Sequence, residues 1–351
     1  MPKYINAQKQ AGKQVKRSVN RGWIKRVNPT ITATQEAVTK EVLATYKIFG
    51  DLEPNLADLN KRTTLKGKKT THRKSLTARV SKTYRLGKAS TDAQMLGVSG
   101  GAYRESVFKQ NFIFSIVTSK NLPLPLAKQF FIAQMEPAGG IPITSRFASN
   151  TNIEVDKVLK SIFQGLSRGE SPQEMTKTIE QAFDLTRSNA MRIVRTESAR
   201  MQNAGIYDQT KAFREYGLQT RRQIVSVLDD RTRPQSAQID GQIEEIPEGA
   251  VMGTFLYPNG IRYAMPTNRG VAKYDVNDRE TTIDLLPDDV PMNERVARKI
   301  EVDENGNAIV GRGPRGGELR QENETVNFAN YEAWAKSRGL KKNRYGQLLF
   351  P

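Results

Sequence analysis

Apolar residues recur with a helical period over much of the chain and with a strand period in only a few short runs. From Asn152, the residues Ile153, Val158, Leu159, Ile162, Phe163 and Leu166 fall near the three- and four-residue spacing of one helix face, and Gly169 stands where that helix can stop. Ser171-Pro172-Gln173-Glu174 reads as a capping box: Ser171 can accept an orphan N–H, Pro172 suits the first turn, and Glu174 can reach back. The helix it opens carries Met175, Ile179 and Phe183, completing a helical hairpin. A further long helix is predicted from Ser188, a suitable N-cap, to about Tyr216, with Gly217 as the residue that ends it. Met191, Val194, Ser198 and Met201 share one of its faces.

Strand signals follow. Arg222 to Leu228 (RQIVSVL) has the β-branched run of a strand, Asp229-Asp230 can cap a short helix after it, and Asp240-Gly241 marks a turn. Phe255 to Ala264 predicts a hairpin about Pro258-Asn259-Gly260, and Asp303 to Val310 a second one about Asn305-Gly306. The stretch TTIDLLPDDVPMNE (281–294) between them reads as a polar loop. Upstream, apolar clusters at 112–117 and 130–135 are separated by Leu122-Pro123-Leu124-Pro125, which breaks any continuous helix. At the far end, GRGPRGGE (311–318) is a break before an amphipathic helix around Tyr331, Trp334 and Leu340. The expected fold class is α+β: one long helix packed on a small β-sheet, with a basic, partly extended N-terminal arm. The expected organisation is a basic arm over 1–90, a mixed connecting region over 91–150, a core over 151–290 and an extension over 291–351.

Charge sharpens the picture of the arm. The net charge is +18, and between Met1 and Lys88 there are 21 Lys+Arg against 5 Asp+Glu, so nearly all of the excess lies in the front quarter. Around a short helix with Val38, Val42, Leu43 and Tyr46, the basic segments read as flexible or extended. Lys13, Lys16, Arg17, Arg21, Lys25, Arg26, Lys66, Lys68, Lys69, Arg73, Lys74 and Arg79 are the candidates for sequence-independent contact with nucleic-acid phosphates. No base-reading motif accompanies them. The chain has no cysteine and one histidine, His72, inside a basic run, which excludes disulfides, thiolate metal sites, cysteine nucleophiles and histidine-based triads. No apolar run is long enough to cross a bilayer, and no secretory signal or membrane partner is expected.

The densest set of chemically specific residues is Arg195, Thr196, Glu197, Asn203 and Gly205 on the long helix, with Asp229, Asp230, Arg231, Thr232, Asp240 and Gly241 after the strand. If the strand folds back antiparallel, Arg195 and Glu197 come within reach of Asp229, Asp230 and Arg231, and such a network would fix register more than it adds stability. Asn203 and Gly205 would permit the returning strand to approach closely. The competing reading is a carboxylate metal site built from Glu197, Asp229, Asp230 and Asp240, as a metal-dependent nuclease would need.

R-T-E-S-A-R-x-x-N-A-G (Arg195 to Gly205), L-D-D-R-T-R-P (Leu228 to Pro234) and D-G (Asp240-Gly241), in this order and spacing, resemble the phage head morphogenesis family, the minor head proteins like protein F of phage Mu. The resemblance covers roughly residues 155–245. It implies a structural, non-enzymatic virion component of a tailed phage, at the portal vertex or in the head interior, assembled in the bacterial cytoplasm and acting in head morphogenesis and DNA packaging or ejection. The implied partners are the portal protein, other head proteins and the double-stranded DNA genome, with no cofactor. Many members carry Cys or His after D-D-R-T and in a downstream H-x-N-C-R-C element, where a metal could sit. Here the first of these positions hold Arg233, Gln235 and Ser236, so packing and ion pairs would have to hold the small sheet instead. The alternative from another class is a nuclease or a C-terminal effector enzyme carried in the virion.

Overall fold

A computed structural model of the chain describes residues 3–50, 62–118, 124, 143–168, 170–227, 232–269, 271–286, 335–342 and 349. The elements are α1 (Lys3–Gly22), a π-helical segment (Trp23–Val27), α2 (Asn28–Gly50), α3 (Arg62–Thr118), α4 (Ile143–Arg168), α5 (Pro172–Glu215), β1 (Arg221–Val225), α6 (Pro234–Gln238), β2 (Phe255–Leu256), β3 (Arg262–Tyr263), α7 (Ala272–Asp275) and β4 (Thr281–Leu285). The fold is α+β, predominantly helical with small antiparallel strand pairs. It divides into two compact units, one of Met1–Val19, Ser99–Ile143 and Arg195–Pro351, the other of Asn20–Val98 and Thr144–Val194. Among the described residues no helix is long and apolar enough to cross a membrane.

The basic N-terminal stretch is helical where an extended arm was expected. Its apolar residues are sparse but regular: Ala7, Ala11, Val15, Val19, Trp23, Val27 and Ile31 are all buried and all four apart. A strict four-residue repeat overshoots the 3.6-residue turn of an α-helix. The π segment corrects the drift, with the Asn28 N–H donating to the Trp23 carbonyl five residues back. Lysine and arginine between these positions are good helix formers, so charge does not oppose the helix. In α3 the same reasoning applies to Leu76, Val80 and Tyr84, followed by buried Met95 and Val98. A Cβ at Gly87 would collide with Thr34, so α2 and α3 pack closely there.

The hairpin of α4 and α5 follows the sequence closely. Ser171 N–H donates to Glu174 Oε2 at 2.7 Å and Glu174 N–H to Ser171 Oγ at 3.3 Å, the reciprocal bonds of a capping box. Two details differ. Ile153 is exposed and Val155 is buried in its place. Ser188 starts no helix: α5 runs unbroken from Pro172 to Glu215, because neither Gly nor Pro interrupts residues 184–187. Its end is as expected, with Gly217 at φ +90°. Gly217 N–H donates to the Arg214 carbonyl and Leu218 N–H to that of Phe213, while Leu218 packs on Phe213 and Phe114.

β1 is paired along its length with β4, from Arg221 opposite Leu285 to Val225 opposite Thr281. The 281–285 stretch is therefore a strand and not the loop its polar neighbours implied; Thr281-Thr282-Ile283 is a β-branched run, and 282–285 are buried. On its other side β1 meets Ile243 through Gln223, and Glu245 bridges to Thr254 ahead of the β2–β3 hairpin. That hairpin turns where expected, with Gly260 at φ +82°. Asp284 turns its backbone groups away from β1, and the Gln8 side chain meets both: Asp284 N–H donates to Gln8 Oε1 and Gln8 Nε2 to the Asp284 carbonyl, each at 2.9 Å. One carboxamide thus occupies an open strand edge. The expected hairpin at 303–310, the 311–318 break and Tyr331 and Trp334 lie outside the described residues.

Candidate functional site at the helix–strand corner

Two motif residues of α5, Thr196 and Asn203, hold loops. Thr196 Oγ1 accepts the N–H of Asn277, which sits at φ +56°, with 3.1 Å between donor and acceptor. Two turns on, Asn203 Nδ2 lies 3.1 Å from the Glu280 carbonyl, 3.2 Å from Thr267 Oγ1 and 3.4 Å from the Pro266 carbonyl. Glu197 is buried and pairs at 3.0 Å with Arg200, one turn along the same helix, while Arg195 is exposed. Gly205 admits a helix and not a strand: a Cβ there would lie 2.8 Å from the Tyr103 carbonyl of α3. After β1, Asp240 Oδ1 accepts the Ser226 N–H at 2.6 Å, and Gly241, at φ +83°, donates to the Ile224 carbonyl at 2.9 Å. Thr232 donates its hydroxyl to the Val227 carbonyl. Asp229, Asp230 and Arg231 lie outside the described residues. The short α6 has Arg233, with no side-chain cap, at its N-cap position and Pro234 at its start, in place of an aspartate cap.

Two arginine centres, neither of them singled out by the sequence, bind the corner. Arg222 of β1 is fully buried; its Nε and Nη2 donate to Glu244 Oε2 at 3.0 and 2.8 Å. Its remaining donors reach the Ala264 and Gly253 carbonyls at 2.6 and 2.8 Å. Glu244 also pairs with Arg214 and accepts the N–H groups of Arg222 and Gly253. Burial pushes the Glu244 carboxyl up, but the hydrogen bond from Arg214 and the charge of Arg222 outweigh it and hold the group below its usual range. The Arg222 guanidinium lies 4.9 and 5.1 Å from the ring centroids of Tyr207 and Phe255. Gly253 has room for no side chain, since a Cβ would stand 2.5 Å from the Glu245 carbonyl.

Arg269 is the second centre. It contacts Asp278 at 2.8 Å and Asp275 at 3.5 Å, pairs with Glu280, and lies 4.7 and 4.8 Å from the ring centroids of Tyr257 and Tyr263. Burial and the neighbouring Asp278 charge push Glu280 up to about 7, against the attraction of Arg269. Burial likewise raises Asp275, and pushes the Tyr257 hydroxyl up to about 12. Arg233, one of the positions where the resemblance pointed to Cys or His, donates to the Tyr274 and Val276 carbonyls of the same loop. The sheet is thus held by ion pairs and packing. Arg222 and Arg269 escaped the sequence reading because no local spacing joins Arg222 to Glu244 or Arg269 to Glu280. The carboxylates near Arg269, Asp275, Asp278 and Glu280, belong to no motif the sequence offered. Among the described residues no group of three or more Asp, Glu, His or Cys is arranged to hold a metal ion.

The cations proposed for phosphate contact divide. Lys13, Lys16, Arg17, Arg21, Lys25, Arg73, Lys74 and Arg79 are exposed. Arg26 is half-buried, its Nε donating to Gln94 Oε1 at 2.9 Å. Arg73 stacks 4.3 Å from the Phe163 ring centroid, and Arg79 lies 3.4 Å from Glu41. Lys66, Lys68 and Lys69 lie on α3, with side chains outside the described residues.

Residues 156–261 match the family described as phage Mu protein F like protein. That range contains the motif part of α5, β1, α6 and the Arg222–Glu244 pair. The chain is also 25% identical over 177 residues to an NAD(+)–arginine ADP-ribosyltransferase EFV of Enterococcus faecalis (strain ATCC 700802 / V583). The match takes in 49% of this chain and 35% of that protein, so the chain spans about a third of the relative's length. No solved structure matches.

Proposed function

We propose that this chain, whose residues 156–261 match the phage Mu protein F-like family, is a structural minor head protein of a tailed phage. In this reading it assembles into the head in the bacterial cytoplasm, contacts the portal protein and other head proteins at the portal vertex or in the head interior, and meets the genome without base specificity through its basic N-terminal region. The observation that carries the reading is the family match over the helix–strand corner. The chemistry of that corner supports a scaffold. Glu197 pairs with Arg200 and Glu244 with Arg222, and Glu244 and Asp240 accept backbone N–H groups. A nuclease would need carboxylates converging on a metal beside an open groove.

A second reading, an enzyme carried in the virion, takes its support from the ADP-ribosyltransferase named among the relatives. One experiment separates the two: mass spectrometry of purified DNA-filled particles, with cross-linking to identify neighbours, beside an NAD-dependent arginine-modification assay on the full chain. Presence in the particle with cross-links to the portal, and no modification, is the expected outcome. Absence from particles, or modification that requires this chain, overturns it.

A further inference from the structure

We infer that one proton, shared by Asp278 and Glu280 beside Arg269, latches residues 266–269 and 275–280 onto α5, and that its loss lets them go. All of these residues lie in the unit that contains β1 and β4. Four contacts form the clasp. Asn203 Nδ2 meets the Pro266 carbonyl, Thr267 Oγ1 and the Glu280 carbonyl, and Thr196 Oγ1 takes the Asn277 N–H. Each is a neutral hydrogen bond of modest net strength. Two of the residues they hold, Thr267 and Asn277, have φ of +62° and +56°, a backbone conformation that non-glycine residues keep only when their surroundings impose it.

Beside the clasp the charges do not balance. Arg269, Asp275, Asp278 and Glu280 are all buried. Asp278 contacts the guanidinium at 2.8 Å, Asp275 at 3.5 Å, and Glu280 pairs with it as well. From other elements Glu280 faces Arg233 at the start of α6, Tyr257 and Tyr263 of the β2–β3 hairpin, and the uncharged Asn203 of α5. Arg233 gives hydrogen bonds to the Tyr274 and Val276 carbonyls. The adjacent Arg279 is half-buried and its charge acts on Lys16 of α1. Two cations, Arg233 and Arg269, therefore face three carboxylates. A surplus anion in a dry site takes up a proton rather than stay charged. Asp278 and Glu280, two residues apart on one guanidinium, are the pair that shares it. Asp278 Oδ1 also accepts the Glu280 N–H at 3.2 Å, so the two side chains cannot separate without moving backbone at the clasp.

Once the proton leaves, Asp278 and Glu280 repel each other, and opening relieves the repulsion by letting both carboxylates reach water. Opening uncovers Thr196 and Asn203, the motif residues of α5 that hold these loops. Burial and the Asp278 charge raise Glu280 from 4.5 to about 7. The contribution of this group to the closed form is therefore full below 4.5 and is lost as pH rises through about 7. With those two values the open fraction grows about tenfold between pH 6 and pH 8.

The test is hydrogen–deuterium exchange of the full-length chain, read by mass spectrometry at pH 6 and pH 8 with labelling times scaled to the intrinsic exchange rate. Peptides covering 266–280 are expected to lose protection about tenfold at the higher pH. Glu280→Gln, which keeps the shape of the side chain and cannot ionise, is expected to hold its protection at pH 8. Asp278→Asn removes the repelling neighbour while Glu280 and Arg269 stay paired, and is expected to show a smaller loss than the unmutated chain. It decides the matter if Glu280→Gln does not fold. Equal protection at the two pH values in the unmutated chain overturns the latch. So does a loss that is undiminished in the folded variants, or one spread evenly over the chain, which would be global unfolding and not release of these residues.

Discussion

The two compact units differ in how much charge they bury beside their apolar cores. In the helical unit of residues 20–98 and 144–194, burial falls on aliphatic and aromatic residues at helical spacing, from Trp23 and Val27 through Val80 and Phe183 to Val194, with one notable polar cluster. There Tyr84 donates to Glu154 at 3.0 Å and lies 3.3 Å from Thr186, and burial raises the Glu154 carboxyl. The unit that contains β1 and β4 buries charge beside its own apolar core: Arg200, Arg222, Glu244, Arg269, Asp278, Glu280 and Asp284 are all inside. Apolar packing is non-directional and tolerates substitutions of similar size. Paired buried charges tolerate little, since removing one partner strands the other. The difference explains how short strands and long loops can be fixed in place: each arginine ties several carbonyls and carboxylates that have no helix to organise them.

Substitutions can test that contrast, beginning with the largest effect. Glu244→Ala strands Arg214 and Arg222 and is expected to cost about 3–5 kcal/mol in urea unfolding. A loss under 1 kcal/mol would mean the pair is dispensable. In the apolar unit, Phe183→Ala should cost about 3–4 kcal/mol by leaving a cavity, and Phe183→Leu much less. If Phe183→Leu is as damaging as Phe183→Ala, the supposed tolerance of that unit is wrong. Gln8→Leu removes both bonds to Asp284 and should cost about 1–3 kcal/mol through the unsatisfied backbone groups. It should also increase the tendency to associate through β4, measurable by light scattering.

The dependence on pH has opposite signs at different carboxyls. Glu280 is raised from 4.5 to about 7 and Asp284 from 3.8 to about 6, in both cases chiefly by burial. The folded state therefore holds their protons more tightly than the unfolded chain. Their contribution is fully present below the ordinary carboxyl values and is lost as pH rises through about 6 to 7. Glu244 is lowered, so its contribution is present above its ordinary value of 4.5 and fades as pH falls through its folded value. Melting temperature should peak in mildly acidic solution, and Glu280→Gln should flatten the decline towards pH 8. A melting temperature that rises steadily from pH 5 to 8 would contradict the burial of these groups.

Much of the helical architecture was legible because its signals are local. The Ser171–Glu174 capping box, the stop at Gly217 and the turn at Gly260 each depend on residues a few positions apart, and the structure has all three. Legibility failed where a local signal was absent or misleading. The helical nature of α1 was hidden because a column of single apolar residues four apart, among lysines and glutamines, looks like a solvated segment. β4 was hidden because its strand run merges into a proline- and aspartate-rich stretch. Ser188 resembles a cap, yet nothing before it ends the preceding helix.

At the corner the division is sharper. Sequence alone determined that the region is a long helix, a glycine stop, a strand and a turn, and that Thr196, Asn203, Asp240 and Gly241 belong to it. It could not say what they hold. Only the tertiary structure brought Arg222 to Glu244, Arg269 to Glu280 and Asn203 to the 266–280 loop. Turns and caps are decided by the geometry of adjacent peptides. The partner of a buried charge is decided by which distant segments the packed core brings together and keeps dry.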